Sequence, residues 1–216
     1  MEINLTNADI NAINTNDKDY INNKGAKFYN EGKYEEAVEY YRLASAMGDT
    51  HATSNLGYCY LYGRSIPVNV DFAIQYFKLA AKKGDLDAIY KLGDIYSRDK
   101  WGKKDPELAI YYYLKGLQEF QDDWGDVYYN DRTRLYPSLF FAIGRETMPE
   151  GLLNTDIYFA YTCLNIAKEG YEESLANGEE MYRESYTNVL NLLQDSVFDN
   201  VRERFEKEYK KEEDKG

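Results

Sequence analysis

Residues 52–84 read ATSNLGYCYLYGRSIPVNVDFAIQYFKLAAKKG, and this stretch decides the fold. Small residues (Ala52, Gly57, Ala73, Ala80, Ala81) alternate with large aromatic ones (Tyr58, Tyr60, Tyr76, Phe77) at helical spacing. The Gly63–Asn69 segment interrupts that spacing with a glycine and a proline. Two helices joined by a loop are therefore expected, crossing closely where Gly57 and Ala73 meet, because a larger side chain there would force them apart.

Working outward, the same pattern recurs. Ala37, Ala73 and Ala109 stand thirty-six residues apart. They are followed at equal distances by Tyr40 and Tyr41, Tyr76 and Phe77, and Tyr112 and Tyr113. Gly57 and Gly93 each precede their alanine by sixteen residues, as Gly144 precedes Ala160. Gly25 precedes Ala37 by only twelve, so the first unit has the same helices and a shorter loop. A fixed period of this length is the signature of a stacked repeat protein. Asn69, Asp105 and Asp156 stand four residues before Ala73, Ala109 and Ala160, where side-chain oxygens cap helix N–H groups. Pro106 follows in the first helical position, where its missing N–H costs nothing. Gly48 and Gly84 are placed to end helices in the left-handed conformation, and Asp49 and Asp85 to start the next ones.

The pattern A-x3-LG-x2-Y-x2-G followed by A-x2-YF-x2-AA-x2-G, read from Ala52 to Gly84, resembles the Sel-like repeat, a relative of the tetratricopeptide repeat with a longer loop inside the hairpin. The resemblance implies an all-α fold: a right-handed α-solenoid of about four helix-turn-helix repeats with a C-terminal capping helix region. It also implies a family of adaptors and scaffolds. In this reading residues 1–19 are a polar arm and 20–51 a tetratricopeptide-like hairpin. Residues 52–87 and 88–116 are Sel-like repeats, 117–136 an acidic aromatic insertion, and 137–172 a degenerate repeat with Gly170 in its closing position. Residues 173–216 form a helical cap and charged tail, with Leu190, Leu193, Val197, Val201 and Phe205 as its apolar stripe.

Composition narrows the function. The chain has 216 residues, a formal net charge of −12 and 23 tyrosines. Such acidity excludes a polyanion-binding role, which needs Lys and Arg to neutralise phosphates, and favours a basic or neutral protein partner over an acidic one. Two cysteines without paired spacing argue against a disulfide framework, and the first twenty residues hold no apolar run of a signal peptide. A cytoplasmic protein with no membrane span and no nucleic-acid partner, monomeric on its own, is expected.

No catalytic constellation stands out. His51 is the single histidine, and a surface or groove role suits it better than catalysis. Cys59 and Cys163 read as core filler. The glycines belong to the repeat rather than to a phosphate loop, so no enzyme activity, cofactor or metal is expected. What remains is the concave face, lined by the first helix of each hairpin. There Tyr29, His51, Tyr58, Tyr62, Tyr90, Asp94, Arg98, Phe141 and Arg145 are the candidate partner-binding groove. Asp122, Asp123, Trp124, Tyr128 and Tyr129, with Phe120 beside them, are a candidate second contact surface, since apolar anchors in a charged rim are how interfaces are built. The function expected is a protein or peptide-binding module. The alternative is an immunity or antitoxin-type protein that neutralises a cognate, possibly basic, toxin.

Overall fold

The computed structural model describes residues 4–121, 131–154 and 156–213. Among them every regular element is helical. The chain divides into two compact units, Met1–Leu92 and Gly93–Gly216.

In the first unit α1 (Asn7–Asn14) is followed by the hairpin α2 (Lys18–Asn30) and α3 (Tyr34–Ala46), the hairpin α4 (Thr50–Tyr62) and α5 (Val70–Ala81), and the start of α6 (Leu86–Ser97). The expected punctuation is present. Asp49 accepts a hydrogen bond from the Ala52 N–H, Asn69 from the Phe72 N–H and Asp85 from the Ala88 N–H. Gly48 and Gly84 have φ of 91° and 83°, a conformation that a side chain would strain. The helices pack through the repeat glycines. A Cβ on Gly57 would lie 2.7 Å from the Phe77 ring, and one on Gly25 would lie 2.8 Å from that of Tyr41. Ile21, Ala37, Tyr40, Tyr41, Ala44, Ala52, Leu56 and Cys59 form the core around these crossings.

The second unit continues with α7 (Pro106–Gln121), α8 (Pro137–Thr147), α9 (Ile157–Ala176), α10 (Arg183–Leu193) and α11 (Asp199–Glu213). Gly93 faces the Tyr113 ring as Gly57 faces Phe77, and Gly144 faces Leu164. Asp105 and Asp156 cap α7 and α9. Both cysteines are buried and free, and burial pushes the Cys59 thiol up to about 12.

Four expectations need correction. Residues 7–14, read as part of a polar arm, are helical. They form α1, opened by a capping box between Thr6 and Asp9. Asp9 is fully buried, ion-paired at 2.7 Å with Lys24 of α2 and hydrogen-bonded at 3.0 Å by the Tyr40 hydroxyl of α3. Phe120 is no surface anchor. α7 runs on through the start of the insertion, and Phe120, 1% exposed, packs on Tyr136 and Phe140. Gly170 does not close a helix, because α9 continues to Ala176. Gly170 instead lets the Arg134 carbonyl approach, and Gly178, with φ of 86°, follows the helix end. Finally, the C-terminal stripe is broken by a turn of 3-10 helix at Ser196–Phe198, so Val189, Leu193 and Phe198 are buried while Leu190 is exposed. Phe205 packs at 5.1 Å against Tyr161 of α9, which is how this tail covers the last hairpin.

Two consequences are measurable. Gly93→Leu places a branched side chain where even a Cβ would come within 2.5 Å of Tyr113. It is expected to cost about 3 kcal/mol in denaturant unfolding, and an unchanged midpoint would mean the helices cross elsewhere. Asp9 gives a pH signature. Burial opposes its ionisation, but hydrogen bonds from Lys24, Thr6 and Tyr40 outweigh that and bring its carboxyl down to about 2. In the unfolded chain it would take up a proton near 3.8. Its stabilisation is therefore complete above that value and lost as pH falls from about 4 toward 2. Asp9→Asn should melt below the wild type at pH 7 and approach it at pH 2, and a pH-independent difference would contradict the ion pair.

Candidate functional site

The first helices of the hairpins present short polar and aromatic stripes, because residues three and four apart share one face. On α4 that face carries His51, Ser54, Asn55, Tyr58 and Tyr62. Asn55 donates through Nδ2 to Asn22 Oδ1 of α2 at 3.2 Å, tying α4 to α2. Tyr58 is half-buried and packs edge-on against Phe77 at 5.0 Å, so one side of its ring belongs to the repeat core. The Tyr62 ring lies parallel to it, 6.3 Å away, and is 41% exposed.

Lys91 of α6 completes the stripe. It is buried, and its ammonium lies 4.8 Å from the Tyr90 ring centroid and 5.5 Å from that of Tyr58. Cation–π attraction thereby fixes the three side chains as one cluster. At the edge of the cluster His51 Nδ1 lies 3.1 Å from Asp85 Oδ2. The His51 side chain is 70% exposed and that of Asp85 only 1%, so the imidazole lies as a flap over a buried carboxylate. Pairing with Asp85 raises the His51 pKa, while its partial burial works against this. Asp87, one residue into α6, edges the same concavity. Asp87 is an exposed residue, but crowding by its neighbours, which costs its charged form hydration, together with the Asp85 charge pushes its carboxyl up to about 6.

Within residues 1–92 the structure thus brings together His51, Tyr58, Tyr62 and Tyr90. Tyr29 is engaged separately, edge-on to Tyr34 at 5.1 Å. The remaining groove candidates belong to the second unit. Arg98 approaches Asp94 along α6 at 3.7 Å, and the Arg145 guanidinium lies 5.8 Å from the Phe141 ring while pairing with Glu146 at 2.7 Å. Arg145 also lines a cavity of about 560 Å³ with Met148, Leu192 and Val197. Asp122, Asp123, Trp124, Tyr128 and Tyr129 lie outside the described residues.

Counting groove positions from the repeat glycine misses Lys91, Asp85 and Asp87. The period itself marks Lys91, which stands thirty-six residues after Asn55 on the next inner helix. Asp85 and Asp87 are hidden by the capping role that an aspartate at a helix start ordinarily fills. Among the described residues no group of His, Cys, Asp and Glu is arranged to hold a metal ion, and no helix is long and apolar enough to cross a membrane.

Residues 50–85 and 86–118 match the Sel1 repeat, and residues 19–50 match a tetratricopeptide repeat. A solved Sel1 repeat protein from Oxalobacter formigenes is similar in structure, with a TM-score of 0.57 and 24% sequence identity. The likeness covers 73% of this chain and 60% of that one, and it concerns the fold. No curated protein matches the chain.

His51 supplies the test of this geometry. Its pKa is raised above the ordinary 6.5 by Asp85, so the contact stabilises the fold fully below pH 6.5 and fades as pH rises through the folded value. Thermal melts of wild type and His51→Gln should differ at pH 5.5 and converge by pH 9. A difference that persists at pH 9 would show that His51 contributes packing rather than charge.

Proposed function

Because the chain carries two Sel1 repeats preceded by a tetratricopeptide repeat, we propose that it is a non-enzymatic scaffold whose first unit holds a protein or peptide segment along the inner faces of α2, α4 and α6. Repeats of these kinds generally mediate protein–protein interaction, since stacked hairpins leave an extended concave surface. The observation that carries the reading is the tyrosine cluster. Tyr58, Tyr62 and Tyr90 are neither sealed in the core nor loose on the surface, and Phe77, Lys91 and mutual stacking hold their rings in place. Preorganised aromatic rings lose little entropy on binding, which is why tyrosines recur among the residues that dominate interface energies. Carboxylates at the edge suit a partner that is basic or neutral there. In the second unit Asp94, Arg98, Phe141 and Arg145 are candidate contacts considered by themselves, and the 117–136 segment, with Trp124, Tyr128 and Tyr129, is a further candidate surface. The protein works as a cytoplasmic monomer in this reading.

Tyr62 separates binding from folding better than its neighbours do, because Tyr58 also packs on Phe77. Immobilised full-length chain retains a partner that mass spectrometry identifies. Tyr62→Ala should weaken that partner by about 2 kcal/mol with helicity and melting temperature unchanged. Undiminished affinity would remove the groove as the binding face.

A further inference from the structure

The edge of the tyrosine cluster holds negative charge that the fold leaves incompletely answered. Asp85 is 4% exposed. Its Oδ1 accepts from the Ala88 N–H at 2.7 Å, whereas Oδ2 is shut off from water and accepts no hydrogen bond. What faces Oδ2 is the His51 ring, an ion-pair contact at 3.1 Å from a side chain that is mostly in solvent. Two residues on, Asp87 is exposed, with the Asp85 charge opposing its ionisation and the His51 and Lys91 charges only partly favouring it. The buried Lys91 ammonium lies 4.8 Å from the Tyr90 ring centroid and 5.5 Å from that of Tyr58, and its charge also acts on Asp87.

We propose that this edge is a receptor for a cationic side chain: a lysine or arginine of the bound protein displaces the exposed His51 imidazole and sets its charge between Asp85 and Asp87, beside the Tyr58 and Tyr90 rings. The inference deepens the groove reading and rests on it. A buried carboxylate oxygen without a hydrogen bond is costly, and a weakly basic imidazole is a poor answer to it, being charged only part of the time near neutral pH. Guanidinium and ammonium are always charged there, and a guanidinium can donate two hydrogen bonds to one carboxylate. His51 then acts as a placeholder that protects Asp85 in the free protein and yields to the stronger cation. Its 70% side-chain exposure means that it can turn away without disturbing the core.

The charged and titratable groups around His51 set the pH dependence. Asp85 and Asp87 face it from α6, Asp49 from its own helix start, and Lys91 and Tyr58 from within the cluster. Lys18 and Lys83 both reach the nearby Gly48 carbonyl at 3.5 Å. As pH falls, protonated His51 holds Asp85 more firmly and Asp87 takes up a proton near 6, so both changes oppose an incoming cation. Binding should therefore strengthen as pH rises from 5 to 8.

Tetra-arginine amide, with tetra-citrulline amide as its neutral isostere, is the probe, and the ring protons of His51, the single histidine, are the reporter. Tetra-arginine should bind the full-length chain more tightly at pH 7.5 than at pH 5.5, and should return the His51 titration midpoint toward about 6.5. Tetra-citrulline should do neither. Asp87→Asn, and Asp85→Asn, which keeps the helix cap, should each weaken tetra-arginine several-fold, with folding checked by circular dichroism. Glu35→Gln on α3 should leave it unchanged. Citrulline binding as well as arginine, a His51 midpoint that stays put, or equal losses in the Asp87→Asn and Glu35→Gln variants would each overturn the proposal. If the retained protein partner is weakened by Tyr62→Ala but not by Asp87→Asn, the cation receptor fails and the groove stands; if Tyr62→Ala has no effect either, the groove itself fails.

Discussion

The close approach of a glycine Cα to a large side chain four residues past the repeat alanine is the contact on which this architecture depends. Gly25 meets Tyr41, Gly57 meets Phe77, Gly93 meets Tyr113 and Gly144 meets Leu164. In each case a hypothetical Cβ lies within 2.9 Å of the opposing side chain, closer than packed atoms sit. Removing the Cβ lets the two helices of a hairpin come together until the opposing side chain covers the bare backbone. The alanines Ala37, Ala73, Ala109 and Ala160, all fully buried, keep the rest of each seam narrow. One contact, repeated, fixes the register of each hairpin, and the register decides which residues line the inner face.

That dependence explains why Tyr58 has two roles. Its position next to Gly57 places it beside the seam, so its ring leans on Phe77 from the core side and meets Tyr62 and Lys91 on the other. A side chain so restrained is part of the packing and, in the groove reading, a preorganised contact as well. Tyr62, one turn on, has escaped the seam and is the more separable of the two. The acidic edge has a similar double character: Asp85 starts α6 with one oxygen and leaves the other to His51.

Much of this was legible in the sequence, for physical reasons. The glycine and alanine period, the capping aspartates at 49, 85, 105 and 156 and the left-handed glycines at 48 and 84 act locally, so residue type and spacing suffice to read them. What was missed depends on contacts distant in sequence. The segment before residue 20 looks like a polar arm because its buried aspartate is paid for by Lys24 and Tyr40, fifteen and thirty-one residues away. Phe120 reads as an interface anchor until Tyr136 and Phe140 are found around it. Gly170 sits near the repeat's closing position, yet it serves a backbone crossing with Arg134 inside a helix that continues. At the site, the tyrosines were visible as non-consensus positions. The burial of Lys91 among them, and the placement of His51 over Asp85, follow only from the three-dimensional arrangement.

The most direct measurement of where a partner lies is site-specific photo-crosslinking in the full-length chain. A benzophenone side chain is placed at position 62 on the inner face of α4, or at position 79 on α5, where Leu79 is 58% exposed. Both positions are open to solvent, so accessibility alone does not favour either. The groove account predicts that the retained partner becomes covalently joined through position 62 and not through position 79. Crosslinking through position 79 with none through position 62 would contradict it.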